Sequence, residues 1–340
     1  MPSRAAPSRG EALQILMLVG KRTANTPEFL LESPLVLRYS RLLAALAVCL
    51  GVELAVAVVG SACPQAGAAQ RATHADHRGS GPVDVLYAGS LVTLMQTTLD
   101  AAFHRATGYE ITGIPGGSTA LANEIKGGVE RADVFVSASP AVNRKLEGQR
   151  NGAWESWYVS FATSALRLGY NPRSKFARTL RRRPWWQVVT DKGFLLGRTN
   201  PVTDPKGVLA VRALVETSAV HHDPALRALA TTPSNVFPEQ TMVGRLQAGE
   251  LDAGFFYSVE ASAAKIPTVA LTGISEHATY TISVLAHAPH RRAAVAFVRF
   301  LLGKRGRALL EKNGLRPVVP AKLSGRRTAV PRALQRTIGR

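Results

Sequence analysis

The chain has 340 residues, of which 46% are hydrophobic and 19% charged, a balance that excludes a disordered tail and leaves material for a full-sized core. Its formal net charge of +19 invites a nucleic-acid or membrane-surface role. Much of the excess stands outside the periodic body, however: Lys322, Arg326, Arg327, Arg332, Arg336 and Arg340 follow the last periodic segment with no acid among them, so residues 321–340 read as a solvated basic tail and nucleic-acid binding is not expected.

Arg38 and Arg41 precede the run LLAALAVCLGVELAVAVVGSAC, whose single charge is Glu53. A basic stretch followed by an apolar one is the form of an export signal, and the run is also long enough to cross a membrane if left uncleaved. GSAC, ending at Cys63, resembles a lipoprotein box, although Gly60 stands where a branched aliphatic residue is usual; AGA at residues 66–68 suits an ordinary signal peptidase, and both alternatives stay open. Residues 1–68 are therefore read as an export or lipoprotein signal with its tether, which places the body in the periplasm or at the cell surface, with Cys63 as the candidate lipid anchor. The other cysteine, Cys49, lies inside the apolar run. The exported body thus has no cysteine and can form neither a disulfide nor a thiolate metal site.

From Val83 onward, short β-branched runs alternate with helical patterns, the signature of an α/β protein with a mainly parallel sheet. VDVLYA predicts a strand, and Leu91, Leu94, Met95, Thr98, Leu99, Ala102 and Phe103 share one face of a helix that Gly108 ends. YEITGI predicts a strand, STALANEIKGG a helix and ADVFVSAS a further strand. WYVSFATSALRLGYNP has the length of an extended crossing between two lobes. A second series follows: the strand GFLLGRTNP, the turn TDPKG, a helix through Val208, Leu209, Val211, Ala213 and Leu214, the helix PEQTMVGRLQAG and the strand LDAGFFY. TYTISVLA crosses back, and one long helical pattern from Pro289 leads to the closing LRPVVP.

Two positions in this series stand out. Gly89-Ser90 and Gly117-Ser118 each follow a strand and open a helix. A helix amino terminus carries unpaired N–H groups and a partial positive charge, so it stabilises an oxyanion without a cationic side chain. Each serine alone could be a plain cap. Two such starts at the carboxyl ends of neighbouring strands instead suggest a ligand, because open α/β sheets bind at that edge, and Gly117 admits a close approach to the backbone.

VLYAGSLVTLMQTTLDAAFHRATG, GGSTALANEIKGG, WYVSFATSALRLGYNP, GRTNPVTDPKG and LQAGELDAGFFYSVEA, taken in order, resemble the molybdate- and tungstate-binding periplasmic proteins of ABC importers over roughly residues 83–320. The resemblance implies a two-lobe periplasmic-binding-protein fold of type II with the ligand cleft between the lobes: lobe 1 from 83–162 and 278–320, lobe 2 from 163–277. It implies Ser90 and Ser118 as first-lobe ligands, Lys206, Gly207 and Tyr257 as second-lobe ligands, and Gly89, Gly117, Asp204 and Thr241 as further contacts. Archaeal members carry a coordinating glutamate where this chain has Phe256, so the resemblance implies an oxyanion held by hydrogen bonds and no metal ligand. It further implies a monomer without cofactor or enzymatic activity, whose partners are the anion and a membrane permease.

Other readings compete. Tyr257 could be core, Lys206 a solvated turn residue in place of the family's usual small one, and Asp204 a helix cap. Sulfate or phosphate are alternative ligands, and an enzyme on the same fold would need a base near Ser118 that no motif supplies. His221, His222 and Asp223 read as a turn before Pro224 in preference to a metal or triad fragment.

Overall fold

The computed structural model describes residues 79–338; the export signal, Cys63 and most of the tether lie outside the described residues. Strands β1 (Pro82–Ala88), β2 (Glu110–Gly116) and β3 (Val134–Ser137) alternate with helices α1 (Asp100–Thr107), α2 (Ser118–Gly127) and the short α3 (Pro140–Asn143). The long β4 (Trp157–Tyr170) follows, then the short helices α4 (Ala177–Leu180) and α5 (Trp185–Val188) and strand β5 (Leu196–Thr199). Next come α6 (Pro205–His221), α7 (Pro224–Thr231), β6 (Val236–Phe237), α8 (Glu239–Ala248), β7 (Ala253–Tyr257), α9 (Ser258–Ala263) and β8 (Thr268–Ala270). The chain then runs through β9 (His277–Val284), α10 (Arg291–Leu302), α11 (Lys304–Lys312), β10 (Arg316–Gly325) and α12 (Arg332–Gln335).

The strand order is β2-β1-β3-β9-β4-β7-β5-β6, with β8 and β10 also paired to β4. β1 pairs with β2 and β3 in parallel, and β5 with β6 and β7 likewise, whereas every pairing of β4 is antiparallel. β9 also pairs antiparallel with β3, so the sheet is mixed, parallel among β2-β1-β3 and β7-β5-β6 and antiparallel at β9 and β4 between them. β4 carries the junction: Val159–Ala165 pairs with β9, and Leu166–Tyr170 pairs with β7. A strand this long, with residues on both faces buried, is the crossing element its apolar run predicts.

Local chemistry explains the element ends. Gly108 closes α1 in the left-handed conformation at φ 83°, which costs glycine nothing. The stretch before α1 is less regular than its periodicity suggests, with a 3₁₀ turn at Gly89–Leu91 and a π turn at Leu94–Leu99. The pattern beginning at Pro289 is two helices, because Gly303 leaves the helical conformation between α10 and α11. Phe103 of α1 packs edge-on to Phe297 of α10, with ring centroids 5.3 Å apart, and fastens that pair over the first half of the sheet.

Residues 321–338 are folded, where the charge pattern alone reads a solvated tail. Part of that segment completes β10 against β4, and Val330, Leu334 and Ile338 are buried while Lys322, Arg326, Arg327, Arg332 and Arg336 stay exposed. The apolar face is intermittent, so the run of cations hides it from a reading of charge.

Just before β4 begins, Asn143 donates to both carboxyl oxygens of buried Glu155 at 3.2 and 3.0 Å, and Ser283 donates at 2.9 Å. Burial nonetheless pushes the Glu155 carboxyl up to about 8, more than these hydrogen bonds lower it. A carboxyl whose folded pKa lies above its ordinary 4.5 contributes stability that is full below that value and is lost as pH rises through about 8. The urea midpoint should therefore fall between those limits; a midpoint that rises over the same range would contradict the assignment.

Candidate oxyanion site

Ala88 and Gly116 are register partners at the ends of β1 and β2, so Gly89-Ser90 and Gly117-Ser118 emerge side by side from one edge of the sheet. Both serines are buried, Ser90 in the middle of the 3₁₀ turn and Ser118 as the first residue of α2. Neither caps its own helix by a side-chain hydrogen bond. Ser90 Oγ instead lies 2.9 Å from the Tyr280 hydroxyl, and Ser118 Oγ accepts from the Ala138 backbone N–H at 3.1 Å.

The second half of the sheet meets these loops directly. The N–H groups of Thr119 and Ala120, in the first turn of α2, both donate to the Thr203 carbonyl at 3.1 Å. A carbonyl oxygen thus sits where the helix accepts partial negative charge. Gly117 permits the approach, since a Cβ there would stand 2.5 Å from the same oxygen. Asp204 is the N-cap of α6: its Oδ1 accepts from the Lys206 N–H at 2.9 Å, as expected of a cap, while its buried Oδ2 has no hydrogen-bond partner among the described residues.

Lys206 is fully buried. Its Nζ donates to both oxygens of Glu260 at 2.9 and 2.8 Å and pairs with Glu239 Oε1 at 3.2 Å. Burial pulls the ammonium's pKa down, yet the carboxylates of Glu260, Glu239 and Asp204 outweigh it, and Lys206 stays charged. Its N–H groups face carboxylates, which makes it an organiser of the cluster. Gly207 is buried in the first turn of α6.

Tyr257 ends β7 fully buried, its ring edge-on to Tyr280 at 6.1 Å, and its hydroxyl has no hydrogen-bond partner among the described residues. Phe256, the residue before it on β7, packs with Met242 and Leu246. Thr241 is exposed, and its hydroxyl donates to the Pro238 carbonyl within its own turn. The residue of that turn that enters the cluster is Glu239. Glu239, Glu260 and Tyr280 are absent from the sequence-based site; a glutamate opening a helix reads locally as a partner of the helix dipole.

The remaining candidates lie elsewhere. His221 stacks on Trp186 at 3.8 Å, His222 is the C-cap of α6 at φ 52°, and Asp223 caps α7, so the three form a turn. Asp84, Asp133 and His290 come together near the start of β1, where Asp133 accepts from the backbone N–H groups of Asp84 and His290 and fastens α10 to the sheet.

Residues 83–316 match the model of the bacterial extracellular solute-binding protein family. An uncharacterized solute-binding protein of Petrotoga mobilis is 25% identical over 277 residues, covering 71% of this chain and 85% of the relative. A putative ABC transporter molybdenum-binding protein of Haloferax volcanii is 31% identical over 178 residues, 52% of this chain and 54% of the relative, so that match spans about half of each. Among solved structures, the periplasmic molybdate-binding protein of Azotobacter vinelandii superposes with a TM-score of 0.55 at 18% identity, covering 68% of this chain and 98% of that one. The sulfate-binding protein of Mycobacterium tuberculosis gives a TM-score of 0.55 at 15% identity, covering 71% and 88%. At such identities the superpositions establish the fold, the two-lobe periplasmic-binding-protein architecture of type II.

Proposed function

The chain belongs to the bacterial extracellular solute-binding protein family, and from that premise we propose that it is the capture component of an ABC importer, with molybdate or tungstate as its ligand. The observation that carries the reading is the pair of Gly-Ser starts emerging from register partners on β1 and β2, with both serines buried and Ser118 at the α2 amino terminus. The Thr203 carbonyl bound to Thr119 and Ala120 supports it, because an anion oxygen placed there gains the same two donors. Ser90, Ser118, Tyr257 and backbone N–H groups hold the anion; Lys206, Gly207 and Asp204 shape the second-lobe wall. Fixed donors in a dry cleft offset the cost of desolvating a dianion, and contacts made only on closure favour the closed form that a permease recognises.

In this reading lobe 1 comprises 83–162 and 278–320, lobe 2 comprises 163–277, and the amino-terminal segment delivers the protein outside the membrane, tethered at Cys63. Among the described residues no helix is long and apolar enough to cross a membrane. Calorimetric titration of the purified protein with molybdate, tungstate, sulfate and phosphate tests the ligand. Molybdate and tungstate should bind more tightly than the other two and be hard to tell apart, because a hydrogen-bonded cage discriminates mainly by size. A preference for sulfate or phosphate would replace the metal oxyanions, and the absence of heat with all four would end the oxyanion reading.

A further inference from the structure

We propose that Glu239 makes oxyanion capture proton-linked: where its carboxyl is ionised, one proton passes from solvent to its unpaired oxygen as the anion enters, and that oxygen then donates to the ligand. This rests on the oxyanion reading above and adds a residue and a proton to it. Glu239 is the first residue of α8 and only 7% exposed. Its Oε1 pairs with Lys206, whereas its buried Oε2 has no hydrogen-bond partner among the described residues. That free oxygen lies against the first Gly-Ser start, since a Cβ on Gly89 would stand 2.6 Å from it. An acceptor without a donor therefore faces the loop that would receive an anion.

The groups around Glu239 give it a reason to take up a proton. Asp204 and Lys206 approach from α6, Glu260 from α9, Tyr257 from β7 and Tyr280 from β9. Lys206 is the one cation among these groups, and Glu260 engages it through both carboxylate oxygens. With all three acids ionised, the cluster keeps two negative charges beside a cleft meant for a dianion. An ionised carboxylate only accepts hydrogen bonds, and a protonated one also donates. One O–H bond formed on Oε2 thus removes a negative charge and turns a repulsive oxygen into a donor, with no other bond made or broken. Burial, with Asp204 next, already raises the Glu239 carboxyl to about 8 despite the lowering effect of Lys206. A bound dianion raises it further, which is the linkage that draws the proton in.

Molybdate is the probe, because it is a dianion that carries no proton near neutral pH. The full chain is titrated calorimetrically above about pH 8, in buffers of different ionisation enthalpy, as wild type and as Glu239→Gln. Wild type should take up about one proton per molybdate, and its affinity should fall roughly tenfold for each further pH unit. In Glu239→Gln the uptake should vanish and the affinity should become flat with pH. A wild-type enthalpy that does not depend on the buffer overturns the proposal and leaves the oxyanion reading standing, as does uptake that persists in Glu239→Gln. If wild type binds none of molybdate, tungstate, sulfate and phosphate, the oxyanion reading falls and the proposal with it.

Discussion

Lys206→Met should destabilise the protein by about 3–5 kcal/mol, the cost of removing one partner from a buried ion-pair network. Methionine keeps the length of the stem but leaves Glu239, Glu260 and Asp204 buried without a cation, although Lys206 now faces all three. The loss should be greatest above about pH 8, where Glu239 ionises, and smaller in acid, where protons replace the missing charge. Urea denaturation at two pH values measures it. Adding Glu260→Leu should restore part of the loss, because it removes the carboxylate that the ammonium contacts most closely. A Lys206→Met variant as stable as wild type would mean that the cluster is solvated and that the lysine does not organise it.

Ser90→Ala and Ser118→Ala should each weaken molybdate binding by about 1.5–3 kcal/mol, roughly ten- to hundredfold, the loss of one hydrogen bond to a charged group. The two differ in what they leave behind. Ser90→Ala strands the buried Tyr280 hydroxyl, and Ser118→Ala strands the Ala138 N–H, so both should also lower the melting temperature modestly. Binding and stability are separable here, because calorimetry reads the first and thermal unfolding the second. Unchanged affinity in both variants would place the anion away from the Gly-Ser edge.

The Thr203 carbonyl reaches across to α2 while Asp204 caps α6 and Lys206 anchors to α9 and α8, so one short segment ties α2 to α6, α8 and α9. If the proposed function holds, an anion oxygen bound at the Thr119 and Ala120 donors takes the place of the Thr203 carbonyl, and the segment shifts to admit it.

What the sequence determined by itself was local. The Gly-Ser starts, the Asp204 cap, the glycine that ends α1 and the crossing strand β4 each follow from a few adjacent residues, because helix ends and strand periodicity are written in neighbours one to four positions apart. The parallel pairing of β1 with β2, which sets both serines on one edge, is the ordinary outcome of such a series. Only the tertiary structure decided what faces that edge. Lys206 finds Glu260 at a separation of 54 residues, and Ser90 finds Tyr280 at 190, and no local pattern distinguishes these partners from solvated side chains. The same holds for residues 321–338, whose cations suggest a tail while pairing with β4 and the buried Val330, Leu334 and Ile338 hold it against the body. Long-range ion pairs and docking of a sparse apolar face depend on which surfaces the fold brings within a few ångströms, and that is settled by packing.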